Sequence, residues 1–462
     1  MPNTFAYAVL MFFPLISIVL YIRCNTLTAT FWTIVGGYMF LPVKVVFDFP
    51  LVPPLGQQTI PALCAIFGCS TIKRHSIQFI PRQRFEKAIV FILLFSPVLT
   101  VLTNMQPYFN GESVKPGMSV QDIISSIVQA YLEIIPFLIG LSLVSKRENY
   151  LHFLKLMVVA GLIYSPLVLF EIRFSPQLHS AIYGFFPHEF KQQIRLDGFR
   201  PVVFMGHGLL VSIFYVAVFL CSVQLARLRS KVLEQPALIF ATYFLVVLIL
   251  CKSVGAWILS LAGLTILCCG QKVVVKFALT LAIIVLIYPL LSMFDIFPHE
   301  KLLSLLSIFG EERVASLDFR FFNESMLLEH TRDQFLFGWG GWGRNRPIGV
   351  VTDGYWVIRL SESGIVGFLG TFLLILSPVI RGRRRFHQAT QVGELDSLAF
   401  TMLFTALLAV NQIPNSSMYS WLWFSIGVMG GYAGSRSARN IKITNARSSH
   451  KHGQTLYEQN TE

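Results

Sequence analysis

Apolar runs of roughly 20 residues, separated by short polar clusters, recur along the chain and match the length of a helix that crosses a bilayer. Spans are expected at 4–22, 27–48, 57–70, 87–105, 119–144, 150–171, 201–225, 236–251, 253–270, 273–294, 361–380, 397–412 and 416–435. The third is short and contains Pro61. The first is too long for a cleaved signal peptide and lacks the small-residue cleavage signature. The pattern predicts an all-α, polytopic membrane protein with about 12–13 transmembrane helices and two external helical loops.

Composition agrees with the pattern and removes other classes. The 462 residues would suffice for two or three soluble domains, yet 54% are hydrophobic and only 13% are charged. Soluble domains carry about 25% charged residues, so a soluble enzyme, a disordered protein and a fibrous repeat are excluded. Residues 1–435 are expected to form one transmembrane domain, and 436–462, rich in Ser, Asn, Lys and Arg, a flexible cytoplasmic tail. A net charge of +13 does not indicate nucleic acid, because the basic residues lie in short clusters between apolar runs. Of the 37 Lys and Arg, 23 fall on one set of loops and the tail, among them Lys73, Arg74, Arg147, Arg229 and Arg381–Arg385. That side is expected to be cytoplasmic, which puts the N-terminus outside if segment 57–70 crosses and inside if it does not. The seven cysteines form no CxxC pair and suggest neither zinc nor disulfides.

Two segments on the opposite side stand out. Residues 172–200 carry Phe174, Leu178, Ile182, Phe186 and Phe190 at near-helical spacing beside His179, His188 and Lys191, and predict an amphipathic helix lying on the outer surface. Residues 295–360 form the longest connection, too long for a simple turn, and contain FGWGGWGR and VTDGYWV.

Basic residues on this side run against the positive-inside tendency. Arg195 and Arg200 precede the span at 201, Lys252 lies between two spans, Arg320 opens the helix-like FRFFNESMLLEH, and Arg359 precedes the span at 361. A charge at such depth costs a few kcal/mol unless hydrated or paired. Cations converging from separate helices would make a site for a phosphate or diphosphate, whereas cations acting singly would snorkel to lipid headgroups. In FGWGGWGR the glycines permit close backbone approach, Trp339 and Trp342 suit sugar stacking or interfacial anchoring, and Arg344 adds a cation. Asp353 suits a general base or a helix N-cap, Glu362 is a second carboxylate candidate, and His207 suits an acceptor-sugar contact or a satisfied core position. No phosphate-binding loop and no DxD-like cluster is present, so no metal and no cofactor is expected.

The order of Arg320, then Gly338-Trp339-Gly340-Gly341, then Asp353 eleven residues before Gly364 and fourteen before Gly367, resembles the O-antigen ligase and polysaccharide polymerase superfamily. Its members are integral membrane glycosyltransferases acting on undecaprenyl-diphosphate-linked glycans. The stretch RLDGFRPVVFMGHG at 195–208 is similar to the family's opening of a span. Asp353-Gly354 stands where the family has His-Asn, and Lys252-Ser253-Val254 where it has Ser-Arg. Those departures place the resemblance nearer the exopolysaccharide polymerases than the ligases.

The resemblance implies a bacterial inner-membrane enzyme of the GT-C type, working at the outer face beside a flippase and a chain-length regulator. A hydroxyl of one glycan would attack the reducing-end sugar of another carried on undecaprenyl diphosphate. Arg320, with Arg195, Arg200, Lys252, Arg344 and Arg359, would steady the departing diphosphate, and Asp353 or Glu362 would take the hydroxyl proton. Two alternatives stay open: a ligase handing the glycan to a lipid A core, and a transporter or flippase of lipid-linked sugars.

Overall fold

A computed structural model describes residues 1–49, 52–110, 113–195, 198–307, 311–351 and 353–435; the expected tail at 436–462 lies outside them. Helix α1 (Thr4–Arg23) is followed by α2 (Thr26–Phe31) and α3 (Gly37–Phe40), which a π-helical turn joins. A hairpin of β1 (Val46–Phe49) and β2 (Val52–Gly56) leads to α4 (Thr59–Phe67), extended by a second π turn to Ile72. Next come α5 (Arg84–Thr103), the hairpin β3 (Tyr108–Asn110) and β4 (Ser113–Lys115), α6 (Val120–Leu143) and α7 (Arg147–Phe174). The short α8 (Leu178–Tyr183) and the hairpin β5 (Ile194–Arg195) and β6 (Gly198–Phe199) precede α9 (Gly208–Arg227). After the small hairpin β7 (Lys231–Val232) and β8 (Gln235–Pro236) run α10 (Ala237–Leu250), α11 (Val254–Cys268) and α12 (Gln271–Met293). Helices α13 (His299–Leu306) and α14 (Glu311–Arg332) precede α15 (Tyr355–Ile375), α16 (Ser377–Phe386), α17 (Val392–Asn411) and α18 (Ser420–Gly434).

Among the described residues, eight helices are long and apolar enough to cross a membrane: α1, α5, α6, α7, α9, α12, α15 and α17. Three shorter apolar helices, Thr59–Ile72, α10 and α11, stand among them. The chain is an all-α, multi-pass membrane protein. Local signals set the helix starts: Asn3 and Asn25 accept from backbone N–H groups at the heads of α1 and α2, and Ser119 with Asp122 closes a capping box on α6. Helix α9 is the most enclosed span. Glycines let α6 and α18 meet backbone to backbone. A Cβ on Gly140 would stand 2.5 Å from the Phe424 carbonyl, and one on Gly431 2.5 Å from that of Val144.

The connections sort to two ends of the bundle. At one end Arg227 pairs with Asp396 at 3.0 Å, Arg385 with Glu394 at 2.6 Å, and Arg381 with buried Glu86. At the other, Asn3 donates to the Tyr183 carbonyl (3.0 Å), Gln58 caps the head of α18 at Ser420 (2.8 Å), and Arg344 reaches Pro116 (2.7 Å). This second, loop-rich end carries every residue put forward above for chemistry.

The structure corrects several expectations. Residues 172–200 are not one amphipathic helix. Left-handed Ser175 (φ 81) and Gly184 (φ 83), with Pro176 and Pro187 beside them, cut the segment into α8, a 3-10 turn and the β5–β6 hairpin. His179 and Tyr183 fold inward against Phe204 instead of facing a membrane surface. The span expected from 201 starts at Gly208, the one expected from 361 starts at Tyr355, and the end of the 27–48 segment turns into the β1–β2 hairpin. The 295–360 connection does contain two helices, α13 and α14.

Candidate functional site

A buried carboxylate builds the mouth of the site. Glu171, in the last turn of α7, accepts from the backbone N–H groups of Leu178 (2.9 Å), Val202 and Val203 (2.7 Å each). It pins 201–203 out of helix, which is why α9 starts late and why Arg200 and His207 both stay at its head. Gln193 ties the same loop, accepting Arg200 N–H at its carbonyl (2.8 Å) and Gly208 N–H at its side chain (3.2 Å). Lys252 occupies a left-handed turn (φ 51) between α10 and α11, and its ammonium lies against Gly198 in the β5–β6 hairpin, where any Cβ would collide with it. From the middle of α14, Arg320 forms an ion pair through Nε with Asp353 (3.1 Å) and donates through Nη1 to the Pro414 carbonyl (3.1 Å).

The charges of Arg200 and Arg320 bear on His207. Burial, then the charges of Arg200, His188, Arg320 and Arg195, push its imidazole down from 6.5 to about 3, so the ring is neutral at pH 7. Its Nδ1 accepts from Leu209 N–H at 3.0 Å, as the N-cap of α9, which assigns the proton to Nε2. His207 is therefore a neutral donor before the first turn of α9, not a residue inside a span. The His188 ring lies 4.6 Å from it, and burial with the Lys44 charge lowers the His188 pKa as well. A groove of about 330 Å³ opens beside the pair, lined by Lys44, Gln57, Gln58, His188, His207 and Tyr419. A larger cavity of about 690 Å³ lies between α12, α13 and α14, but Asp295, Asp318 and Glu329 there oppose Arg332, which ill suits an anion.

Arg359 is not in that group. It pairs with Glu133 of α6 and, at 3.7 Å, with Glu362. Tyr355 donates to Glu133 at 2.7 Å and accepts from Arg359 Nε at 2.9 Å. Asp353 precedes α15 and pairs with Arg320, whereas Glu362 lies seven residues, about 10 Å, into that helix and pairs with Arg359, so the two carboxylates do not share a reacting atom. Asp353 is not the N-cap of α15; Gly354 holds that position, and the Asp353 carboxylate turns to Arg320.

The glycine-tryptophan motif is scaffold. Helix α15 breaks at Gly364 (φ 63), and the 335–340 strand of chain fills the break. Trp339 N–H and Gly340 N–H donate to the carbonyls of Ser361 (2.8 Å) and Glu362 (2.9 Å), while Ile365 N–H donates to Phe335 (2.8 Å). Trp339 stacks on His330 at 4.5 Å and contacts Tyr108. Arg344 is buried and bonded to the carbonyls of Pro116 and Gln106. Neither is open to a sugar; Trp342, exposed at the loop-rich end, is.

Of the proposed residues, the fold thus gathers Arg195, Arg200, His207, Arg320 and Asp353, with Lys252 at the hairpin that carries two of them, and sets Arg359 and Glu362 in a neighbouring carboxylate cluster. No protein-family model matches the chain, and no characterised protein matches it in sequence. Sequence reading missed Glu133, an acidic residue inside an apolar run and so a signal in itself. It also missed the NQIPNSS turn at 411–417, whose Asn411, Gln412, Asn415 and Ser417 bond to one another beneath Arg320 and Tyr355. Among the described residues no group of His, Cys, Asp or Glu could hold a metal. The arrangement can bind a multiply charged anion, present a neutral imidazole donor to it, and offer one carboxylate at its edge.

Proposed function

We propose that this protein is a glycosyltransferase of the bacterial plasma membrane, polymerising undecaprenyl-diphosphate-linked oligosaccharides at its outer face. The charges of Arg195 and Arg200, from the β5–β6 hairpin and the residue after it, and of Arg320, from α14, all bear on His207, and this grouping carries the reading. Guanidinium groups suit a diphosphate, with paired donors for its oxygens. The sparse motif resemblance supplies the glycan, and the smaller number of basic residues at the loop-rich end supports its facing outward.

The chemistry follows from the partners. Arg320 and Asp353 neutralise each other. A diphosphate takes Arg320 for its own oxygens and releases the carboxylate. Asp353 then accepts the proton of an acceptor hydroxyl as that oxygen bonds to the donor's anomeric carbon. The bond from that carbon to the diphosphate oxygen breaks, and its electron pair leaves with the lipid diphosphate. Negative charge grows on the leaving group, so the arginines favour the transition state over the ground state.

Purified protein in nanodiscs, supplied with an undecaprenyl-diphosphate oligosaccharide, should yield a ladder of products on a gel. Arg320→Ala should slow transfer by about 100-fold or more, the effect of removing one oxyanion donor. Asp353→Asn should lower turnover far more than it raises the donor KM. A single transferred unit would make the enzyme a ligase, and no product at all from the wild type would return the transporter.

A further inference from the structure

Helix α6 turns one face toward α18 along its lower half, through Phe137, Gly140 and Val144. Helix α18 has 15 residues and α6 has 24, a shortfall of about 13 Å along the axis. Above the head of α18, with α4 and β2 also packing on α6, Gln129 on that face is exposed and Ser126 half-buried. Stepping back from Phe137 by four, four, three and four residues, it carries Glu133, Gln129, Ser126 and Asp122. Asp122 closes the capping box. The side chains of Ser126 and Gln129 make no hydrogen bond among the described residues. Gln129 is the tenth residue of a membrane-spanning helix, roughly 14 Å from its start, where an amide facing lipid is unfavourable. The stripe therefore faces water or a polar ligand.

Its surroundings say which. Below, Glu133 is bridged to Tyr355 and Arg359 of α15, two helices that join here through these side chains. The floor is the 411–417 turn, and Asn415 links the two walls: its carbonyl accepts Tyr355 N–H at 3.2 Å and its side chain accepts from Arg320 at 3.4 Å. The α6 stripe thus borders the cation site across a shared floor. It offers a hydroxyl and an amide, with a carboxylate already balanced by arginine and held by the buried Tyr355 at its foot. That is the chemistry of an uncharged, hydroxyl-rich ligand.

We propose that this face of α6, with Glu133, Tyr355 and Arg359 at its foot, is the subsite for the acceptor saccharide, and that it takes uncharged sugars. The proposal rests on the transferase reading for the word acceptor, but the sugar site can be tested alone. Saturation-transfer NMR on the full-length protein in nanodiscs would use short neutral hexose oligosaccharides and matched uronate oligosaccharides as probes. Binding of inorganic pyrophosphate would be measured in parallel. The wild type should bind neutral oligosaccharides, and Gln129→Trp or Ser126→Trp should weaken that binding at least tenfold with pyrophosphate affinity unchanged. The smaller Gln129→Leu should weaken it several-fold and guards against misfolding of the tryptophan variants. Binding unchanged in all three variants, no binding of neutral sugars, or binding of uronates only would overturn the proposal. Absence of pyrophosphate binding in the wild type would instead strike the transferase reading and leave the sugar measurement to stand by itself.

Discussion

His207 shows how one residue reports the charge around it. Burial and four neighbouring positive or protonatable groups keep its ring neutral down to about pH 3, against 6.5 for a free imidazole. The sign of the consequence is fixed. Between pH 6.5 and 3 the unfolded chain takes up a proton at this position and the folded chain does not. The stability contributed by a neutral His207 is therefore complete above pH 6.5 and is lost as the pH falls toward 3. Thermal unfolding in detergent from pH 7 to pH 4 should show the wild-type midpoint falling, and His207→Gln, which keeps an acceptor for Leu209 N–H without a titrating group, should fall less steeply. Equal slopes would mean that Arg195, Arg200 and Arg320 do not bear on the ring. The same cations were legible in the sequence as charges at span boundaries, whereas their partners were not. Arg359 answers to Glu133 across 226 positions, and Arg344 to Pro116 across 228, so only the tertiary fold decides that one is paired in a carboxylate cluster and the other is locked to carbonyls.

At the scale of elements, the interlock between α15 and the 335–340 chain explains why two glycine motifs occur together. A helix broken inside a membrane leaves carbonyl and N–H groups that must be satisfied within the protein. Phe335–Gly340 supplies both, and can approach closely enough only because Gly338 and Gly364 lack side chains. A Cβ on Gly338 would stand 2.5 Å from the Glu362 carbonyl oxygen, and one on Gly364 would overlap the backbone of Leu336. Both also have positive φ, 71 and 63, where an L-residue costs about 1–2 kcal/mol before any clash. Gly338→Ala and Gly364→Ala should each lower the unfolding midpoint sharply or prevent accumulation in the membrane. Gly341→Ala, with open space at its Cβ, should behave as wild type. Thermal stability of the three purified variants checks this, and a stable Gly364→Ala would mean that the break is not packed as described. The helices themselves were largely readable, because a run such as 119–144 leaves few alternatives to a membrane span. The interlock was not, since periodicity passes smoothly through SESGIVGFLG and the break depends on a segment more than twenty residues earlier. In 172–200 the signals were present as Pro176, Gly184 and Pro187, yet the regular aromatic spacing pointed to a continuous helix.

For the whole molecule, the two ends of the bundle differ in what they can do, and the proposed chemistry requires the loop-rich end to face outward. The opposite end holds Arg381 and Arg385 in ion pairs with Glu86 and Glu394. The charge asymmetry supports the outward reading, and the protein provides its own probes for testing it. Cys268 and Cys269 are exposed at the foot of α11, on the arginine-rich end, while Trp342 is 58% exposed at the loop-rich end. In intact cells a membrane-impermeant maleimide should leave Cys268 and Cys269 unlabelled until the membrane is permeabilised. Trp342→Cys, in a background with Ser at 268 and 269, should react before permeabilisation, and His188→Cys should behave alike because the two positions share one end. The reverse pattern would put Arg200, Arg320 and Asp353 on the side of nucleotide-activated sugars and remove the reason for a lipid-diphosphate donor. Labelling of Trp342→Cys and His188→Cys from opposite sides would contradict the fold itself.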